Sequence, residues 1–271
     1  MSDTERSTDS PRIYAHRGGA GLRPENTLAA FRHALDLGAD GLELDVHRSR
    51  DGVLVISHDP TVDRCSDGSG RIRDLYLEEL QQLDAGYHWS MDGAVFPFRG
   101  QGYRIPTLRE LLEELAGPGS GKGAAPDAGA VPISLDIKDD LPEAVADVQE
   151  MLREFGRVED TIVGSFKGAH VRAYRRNEPT GPTAFTRRET IRLLTAVRLG
   201  RRRGRYPAGY LLVPPLYKGL DILTGDIIRH AHESGVTVGA WTINDPEEMQ
   251  RLAAAGVDIL ITDRPDLARG T

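Results

Sequence analysis

The sequence predicts an α/β protein, a (β/α)8 TIM-type barrel, on three observations. Eight short aliphatic or β-branched runs recur along the chain, amphipathic helical stretches lie between them, and the length of 271 residues suits one barrel-sized core. The expected strands are Arg12-Ala15, Gly41-Val46, Pro132-Ile137, Thr161-Gly164, Pro182-Phe185, Gly209-Val213, Thr237-Trp241 and Asp258-Ile261. After the first, Asn26 reads as a helix cap, Leu28, Phe31 and Leu35 fall on one helical face, and Gly38 marks the stop. The last crossover repeats the pattern: Asp245-Pro246 opens a helix carrying Met249, Leu252 and Ala253, which ends at Gly256.

One apolar run breaks the rhythm. Val53-Ile56 follows Gly41-Val46 after only the turn-like Ser49-Arg50-Asp51-Gly52, so it is expected to return as an extra β-hairpin arm. A turn centred on Asp51-Gly52 sets His58 opposite Asp45. Residues 1–10 read as a disordered tail and 11–271 as a single barrel domain. That domain carries an insertion at about 60–105, whose Gly86-Arg104 part holds Tyr87, Trp89, Phe96, Phe98 and Tyr103. Residues 116–131, rich in Gly, Ala and Pro, read as a flexible loop. Its Gly117-to-Gly123 run resembles a phosphate loop but fails in detail, since position 116 is Ala, position 123 is Gly and a helix, not a strand, precedes it.

Composition narrows the function classes. A net charge of −7 disfavours non-specific nucleic-acid binding, and lone Cys65 supports neither an intrachain disulfide nor a zinc cluster. The polar N-terminus lacks the apolar stretch of a signal segment, and no apolar run is long enough to span a bilayer. A cytoplasmic protein without stable membrane insertion is the expectation. The basic stretch Arg198 to Arg205 reads as solvated helix-end charge at the barrel end opposite the candidate site.

Alternation in strands puts Glu43 and Asp45 on one face and Leu42, Leu44 and Val46 on the other. Such a pair alone fits two solvated acids. Residues 132–138 add a third carboxylate, because Ser134, Asp136 and Lys138 share a face opposite Leu135 and Ile137. Three carboxylates at strand C-terminal ends suit one divalent cation with a preference for oxygen, Mg2+ or Ca2+. His16 ends the first strand beside Arg17, whose guanidinium can fork onto phosphate, and beside Gly18-Gly19, where backbone can approach a ligand. Taken singly, His16 fits a surface turn and His58 a hydrogen-bonded strand end. Their convergence with Arg17, Lys138 and the carboxylates at one barrel end favours phosphodiester cleavage, in which a metal polarises a phosphoryl oxygen and imidazoles move protons.

The segments Ala15-His16-Arg17-Gly18-Gly19, Pro24-Glu25-Asn26-Thr27, Glu43-Leu44-Asp45-Val46, Asp51-Gly52, Ser57-His58-Asp59, Asp136-Ile137-Lys138, Ser165-Phe166, Trp241-Thr242-Ile243-Asn244 and Thr262-Asp263-Arg264-Pro265 resemble the glycerophosphodiester phosphodiesterases. The resemblance runs from the first strand to the last. It implies hydrolysis of a small-molecule glycerophosphodiester, such as glycerophosphocholine or glycerophosphoethanolamine, to sn-glycerol 3-phosphate and an alcohol. It further implies His16 and His58 as the acid-base pair, Glu43, Asp45 and Asp136 as metal ligands, and Arg17 and Lys138 as phosphate binders. Trp241 is expected against the substrate or in the core. The family more often has Glu where this chain has Asp136, and the shorter arm withdraws the carboxylate enough to alter coordination through a water. Two alternatives stay open: lysophospholipase D-like activity, with an acyl chain docked on the aromatic insertion, and a barrel that binds phosphodiesters without cleaving them.

Overall fold

The protein structure, a computed structural model, describes residues 10–116 and 130–268. Residues 1–9 of the expected tail and 117–129 of the expected glycine-rich loop lie outside the described residues. The main sheet is built from β1 (Arg12–His16), β2 (Gly41–Arg48), β4 (Ile133–Ile137), β5 (Thr161–Gly164), β6 (Tyr210–Val213), β9 (Thr237–Ala240) and β10 (Ile259–Thr262). These strands run parallel in the spatial order β5-β4-β2-β1-β10-β9-β6, with β3 (Leu54–Ile56) paired antiparallel to β2. A short hairpin of β7 (Leu216–Tyr217) and β8 (Leu220–Asp221) projects beyond β6.

The expected strand Pro182-Phe185 is the seam that nearly closes the barrel. It is reduced to two isolated parallel bridges, Val163 to Thr183 and Ala184 to Tyr210. Pro182 has no N–H to give a ladder; its carbonyl accepts from Val163 N, and Ala184 N returns to Val163 O.

Helices α1 (Leu28–Asp36), α3 (Leu108–Ala116), α4 (Glu143–Glu154), α5 (Gly168–Asn177), α6 (Arg187–Arg198), α7 (Gly225–Glu233) and α8 (Pro246–Ala254) accompany the sheet. The outward faces of β2 and β4 bury Leu42, Leu44, Val46, Leu135 and Ile137 against Phe31, Leu108, Leu111 and Val148. Each such Leu or Ile contributes about 1.5–3 kcal/mol. Val213, Val238, Ala240 and Leu260 do the same against α7 and α8, through Ile227, Ile228, Met249 and Leu252. Tyr14, Ile162, Ile259 and Ile261 cluster on the other face of the sheet with Tyr210, Leu212 and Trp241 packed on them, so this layer fills the barrel interior.

Two local expectations are corrected. Helix α1 is capped by Thr27, whose side chain accepts from Ala30 N, whereas Asn26 lies before the cap at φ 56°. Asn26 is buried and donates instead to Asp45, a bond available only to a residue held inside the barrel mouth. The hairpin register also differs by one residue. Val46 pairs with Ile56, and Ser57 N donates to Asp45 O, so Ser57 and not His58 faces Asp45. The turn is a three-residue loop closed by Ser49 N to Val53 O, with Gly52 at φ 84°. The Ser49 hydroxyl accepts from Val53 N and donates to Asp51, which holds the longer loop.

Between β3 and α3, the short helix α2 (Leu77–Gln82) and a 3-10 turn at Ile72–Asp74 bury Val62, Ile72 and Leu80 around Val55 of β3. The aromatic residues expected here pack on one another: Trp89 and Phe98 meet edge-on at 4.8 Å, and Phe98 lies 5.1 Å from Tyr103. The Trp89 indole N–H donates to Ala20 O at 2.9 Å, which ties this segment to the turn after β1.

Candidate active site

Parallel register gathers the predicted residues at the C-terminal ends of the central strands. His16 of β1 pairs with Glu43 of β2, and Asp45 of β2 pairs with Asp136 of β4. His16 Nε2 therefore lies 3.8 Å from Glu43 Oε2. The backbone then turns sharply through Arg17, Gly18 and Gly19, all at positive φ. Any side chain at Gly18 would meet Ala30 Cβ at 2.8 Å, so close packing on α1 and the left-handed conformation both demand glycine there. This turn aims Arg17 N at Glu43 Oε2, 3.1 Å away.

Both predicted histidines are held by a carboxylate. His16 Nδ1 lies 2.6 Å from Asp263 Oδ1, and His58 Nδ1 lies 2.6 Å from Asp59 Oδ1. A carboxylate only accepts, so each contact fixes an Nδ1–H and orients Nε2 as the functional nitrogen. Asp263 is held in turn by Asn244, through Nδ2 to its carboxylate at 2.8 Å and through Oδ1 from its backbone N–H at 2.9 Å. Arg64 joins Asp59 to Glu25, and Glu25 accepts from Arg17, so one ionic chain links the turn after β1 to the turn after β3. His47, buried on β2, donates from Nε2 to His58 O at 3.2 Å and steadies the backbone of that histidine.

The cationic side chains lie on the acids. Lys138 Nζ is 2.6 Å from Asp136 Oδ2 and 3.2 Å from Asp45 Oδ1, while Arg17 Nε is 3.4 Å from Asp45 Oδ2. Burial, reinforced by Asp45, pushes the Glu43 carboxyl up to about 8. Burial likewise raises Asp136, with Lys138 opposing it. For His16 burial favours the neutral ring, but the Asp263 hydrogen bond and Glu43 outweigh it and the net shift is upward. Among the described residues no group of three or more His, Cys, Asp or Glu side chains forms a ready cage for an ion. Glu43, Asp45 and Asp136 are nevertheless the acids in reach, and Asp136 Oδ1 and Asn26 Oδ1 are buried with no hydrogen-bond partner.

Trp241 and Phe166 border the same mouth. Their rings meet edge-on at 6.2 Å, Phe166 is 76% exposed, and Lys138 Nζ lies 4.9 Å from its ring centroid. Asp59, Asp263, Glu25 and Phe166 stand inside the motif segments without a role assigned from sequence. Closure of the barrel between first and last strands is the signal that places Asp263 beside His16: Ala15 pairs with Thr262, so the next residues on both strands must meet. Cys65, expected to be bland, is partly buried, and burial pushes its thiol up to about 12.

Known proteins are similar to this one over nearly the whole chain. The model of the glycerophosphoryl diester phosphodiesterase family matches residues 16–267. YhdW of Bacillus subtilis (strain 168), whose name carries that activity provisionally, is 35% identical over 254 residues, covering 94% of this chain and 95% of its own. A glycerophosphodiester phosphodiesterase of Caldanaerobacter subterraneus subsp. tengcongensis is 32% identical over 260 residues and 94% of each chain. An Oleispira antarctica phosphodiesterase solved with the product sn-glycerol-3-phosphate superposes with a TM-score of 0.73 at 26% identity, over 96% of each chain. With a family model matched from residue 16 to 267 and relatives 32–35% identical over 94% of its length, the chain belongs to the glycerophosphoryl diester phosphodiesterase family, a family of enzymes.

Proposed function

We propose that this chain hydrolyses glycerophosphodiesters to sn-glycerol 3-phosphate and a free alcohol, with His16 and His58 moving the protons and one divalent cation, Mg2+ or Ca2+, held by Glu43, Asp45 and Asp136. The observation that carries the reading is the paired geometry of the histidines, each with Nδ1 at 2.6 Å from a carboxylate. One imidazole can then accept the proton of the attacking hydroxyl, the glycerol's own or that of water, while the other gives a proton to the departing alcohol oxygen. Positioned proton transfer of this kind contributes about 10²–10⁴-fold each. The product found with the Oleispira antarctica relative supports the glycerol 3-phosphate side of the reaction.

A hard cation fits the donor set: three carboxylates on neighbouring strands, one kept high by burial beside another, and a buried Asp136 oxygen without a partner. When bound, it would supply Lewis-acid polarisation of a phosphoryl oxygen. Arg17 and Lys138 would bind the remaining phosphate oxygens, and Trp241 with Phe166 would wall the apolar side of the glycerol. Release of glycerol 3-phosphate from glycerophosphoethanolamine, measured with added Mg2+ or Ca2+ and again after EDTA, tests the reading. Product formation abolished by EDTA and restored by the metal is expected; no metal-dependent product at any pH would overturn it.

A further inference from the structure

Resting on that reading, we infer that Arg71 and Arg73 form a leaving-group subsite that selects glycerophosphodiesters whose departing alcohol carries a carboxylate. A cavity of about 320 Å³ opens directly from His58 and Lys138, and Arg71, Arg73, Asp139 and Asp140 are among the residues lining it. His16, Trp241 and Phe166 are not among them, so the cavity lies on the His58 side of the candidate site. A diester with its phosphorus between the two imidazoles would place one ester arm here.

The charges of the cavity are unequal in their compensation. Asp139 is buried and already accepts from Arg48 N at 2.8 Å and Leu141 N at 2.7 Å. Asp140 is ion-paired with Lys167, and Lys167 with Arg73 holds its carboxyl below the usual range. Lys138 is paired with Asp136 and Asp45. Arg71 and Arg73, by contrast, have no ion pair within 4 Å and no side-chain hydrogen bond to a described residue. An anion entering the cavity thus meets two guanidinium forks whose N–H donors are not engaged by described residues.

Their placement is built, not incidental. Arg71 bridges to Thr61 in antiparallel fashion, Ile72 N donates to Pro60 O at 3.0 Å, and Val62 N donates to Gly70 O at 3.0 Å. Ile72 between them is 1% exposed and locked in the cluster with Val55, Val62 and Leu80. The strap from 60 to 73 is therefore anchored by its middle residue, and the two arginines flank the anchor at the cavity wall. A choline headgroup asks for the faces of aromatic rings, yet no Phe, Tyr or Trp is among the described residues that line this cavity. An acyl chain asks for apolar walls, and four of the lining side chains are charged arginines or aspartates.

The test compares kcat/KM for glycerophosphoserine and glycerophosphocholine in the wild-type enzyme and in R71A, R73A, R71K and R73K. Equilibrium binding of both diesters is measured in parallel in an H16A background without added metal, where turnover is expected to be slowest. The wild type is expected to favour the serine diester by about ten-fold or more, each alanine variant to cut that ratio by about ten-fold, and the lysine variants to retain part of it. A change in the ratio cannot come from a general loss of structure. Equal use of the two diesters, or alanine variants that lower both alike, would overturn the inference while leaving the hydrolytic reading intact. Arginine-dependent binding of the serine diester with no glycerol 3-phosphate from any substrate would do the reverse.

Discussion

His16 and Asp263 are 247 positions apart in sequence, yet His16 Nδ1 and Asp263 Oδ1 lie 2.6 Å apart. The parallel pairing of β1 with β10 produces this contact, and Asn244 fixes the far oxygen of the carboxylate. Asp59 makes the equivalent contact with His58 at the same distance. With His16 and His58 as the proposed proton-transfer pair, Asp263 and Asp59 would be positioning residues that act through the imidazoles.

Replacing either aspartate by asparagine keeps the shape but offers an amide in place of an acceptor-only carboxylate, so the ring tautomer is no longer imposed. For D263N and D59N we expect kcat for glycerol 3-phosphate release to fall by about 10²-fold with KM changed by less than about three-fold. A loss confined to KM would mean that these carboxylates serve binding and not proton transfer.

Metal affinity is expected to follow the strand carboxylates. Titration of Mn2+ or Ca2+ into the protein should give one site, weakened by at least about ten-fold in E43Q, D45N and D136N. D45N should suffer most, because Asp45 sits between the other two, beside Glu43 on β2 and in register with Asp136 on β4. Unchanged affinity in all three variants would remove them as ligands. D136E lengthens the carboxylate arm by one methylene and should shift the relative affinity for Mg2+ and Ca2+.

Stability against acid should depend on a pair remote from the site. Glu189 accepts both nitrogens of Arg175, at 2.6 and 3.1 Å, and also the N–H of Thr186 in the capping box of α6. Burial pushes the Glu189 carboxyl up, but Arg175 and Thr186 outweigh it and its folded value lies below the ordinary 4.5. Its contribution is thus full above pH 4.5 and is lost as pH falls through the depressed folded value. E189Q should lower stability by on the order of 2 kcal/mol at pH 7 and flatten the fall in melting temperature below pH 4.5. An acid limb identical to wild type would show that other carboxylates govern it.

Core packing sets the scale for the barrel itself. Leu44 is fully buried between β2 and the helices, and L44A should cost about 2–5 kcal/mol in denaturant unfolding. A cost under about 1 kcal/mol would contradict the assigned outward face of β2.

Much of this was legible from residue pattern because strand alternation has a period of two. Leu42, Leu44 and Val46 had to oppose Glu43 and Asp45, and the structure places them so. The hairpin register differs from the expected one because the loop spans 50–52, one residue more than a turn of Asp51-Gly52 alone, and the Ser49 side-chain bonds that hold the longer loop are not set by the spacing. Asn26 looked like a cap because Asn and Thr both cap helices; burial beside Asp45 decides for Thr27. The ionic chain from Arg17 through Glu25 and Arg64 to Asp59 depends on how two turns from different strands approach, which no local spacing encodes.

The most direct measurement is the rate of sn-glycerol 3-phosphate release from glycerophosphoethanolamine, with Mg2+ or Ca2+ present, in the wild type, H16A and H58A, with melting temperatures recorded alongside. A metal-dependent wild-type rate is expected, and it should drop by about 10²-fold or more in each variant while the folded state persists. Wild-type rates in either variant would contradict the assignment of His16 and His58 as the proton-transfer pair.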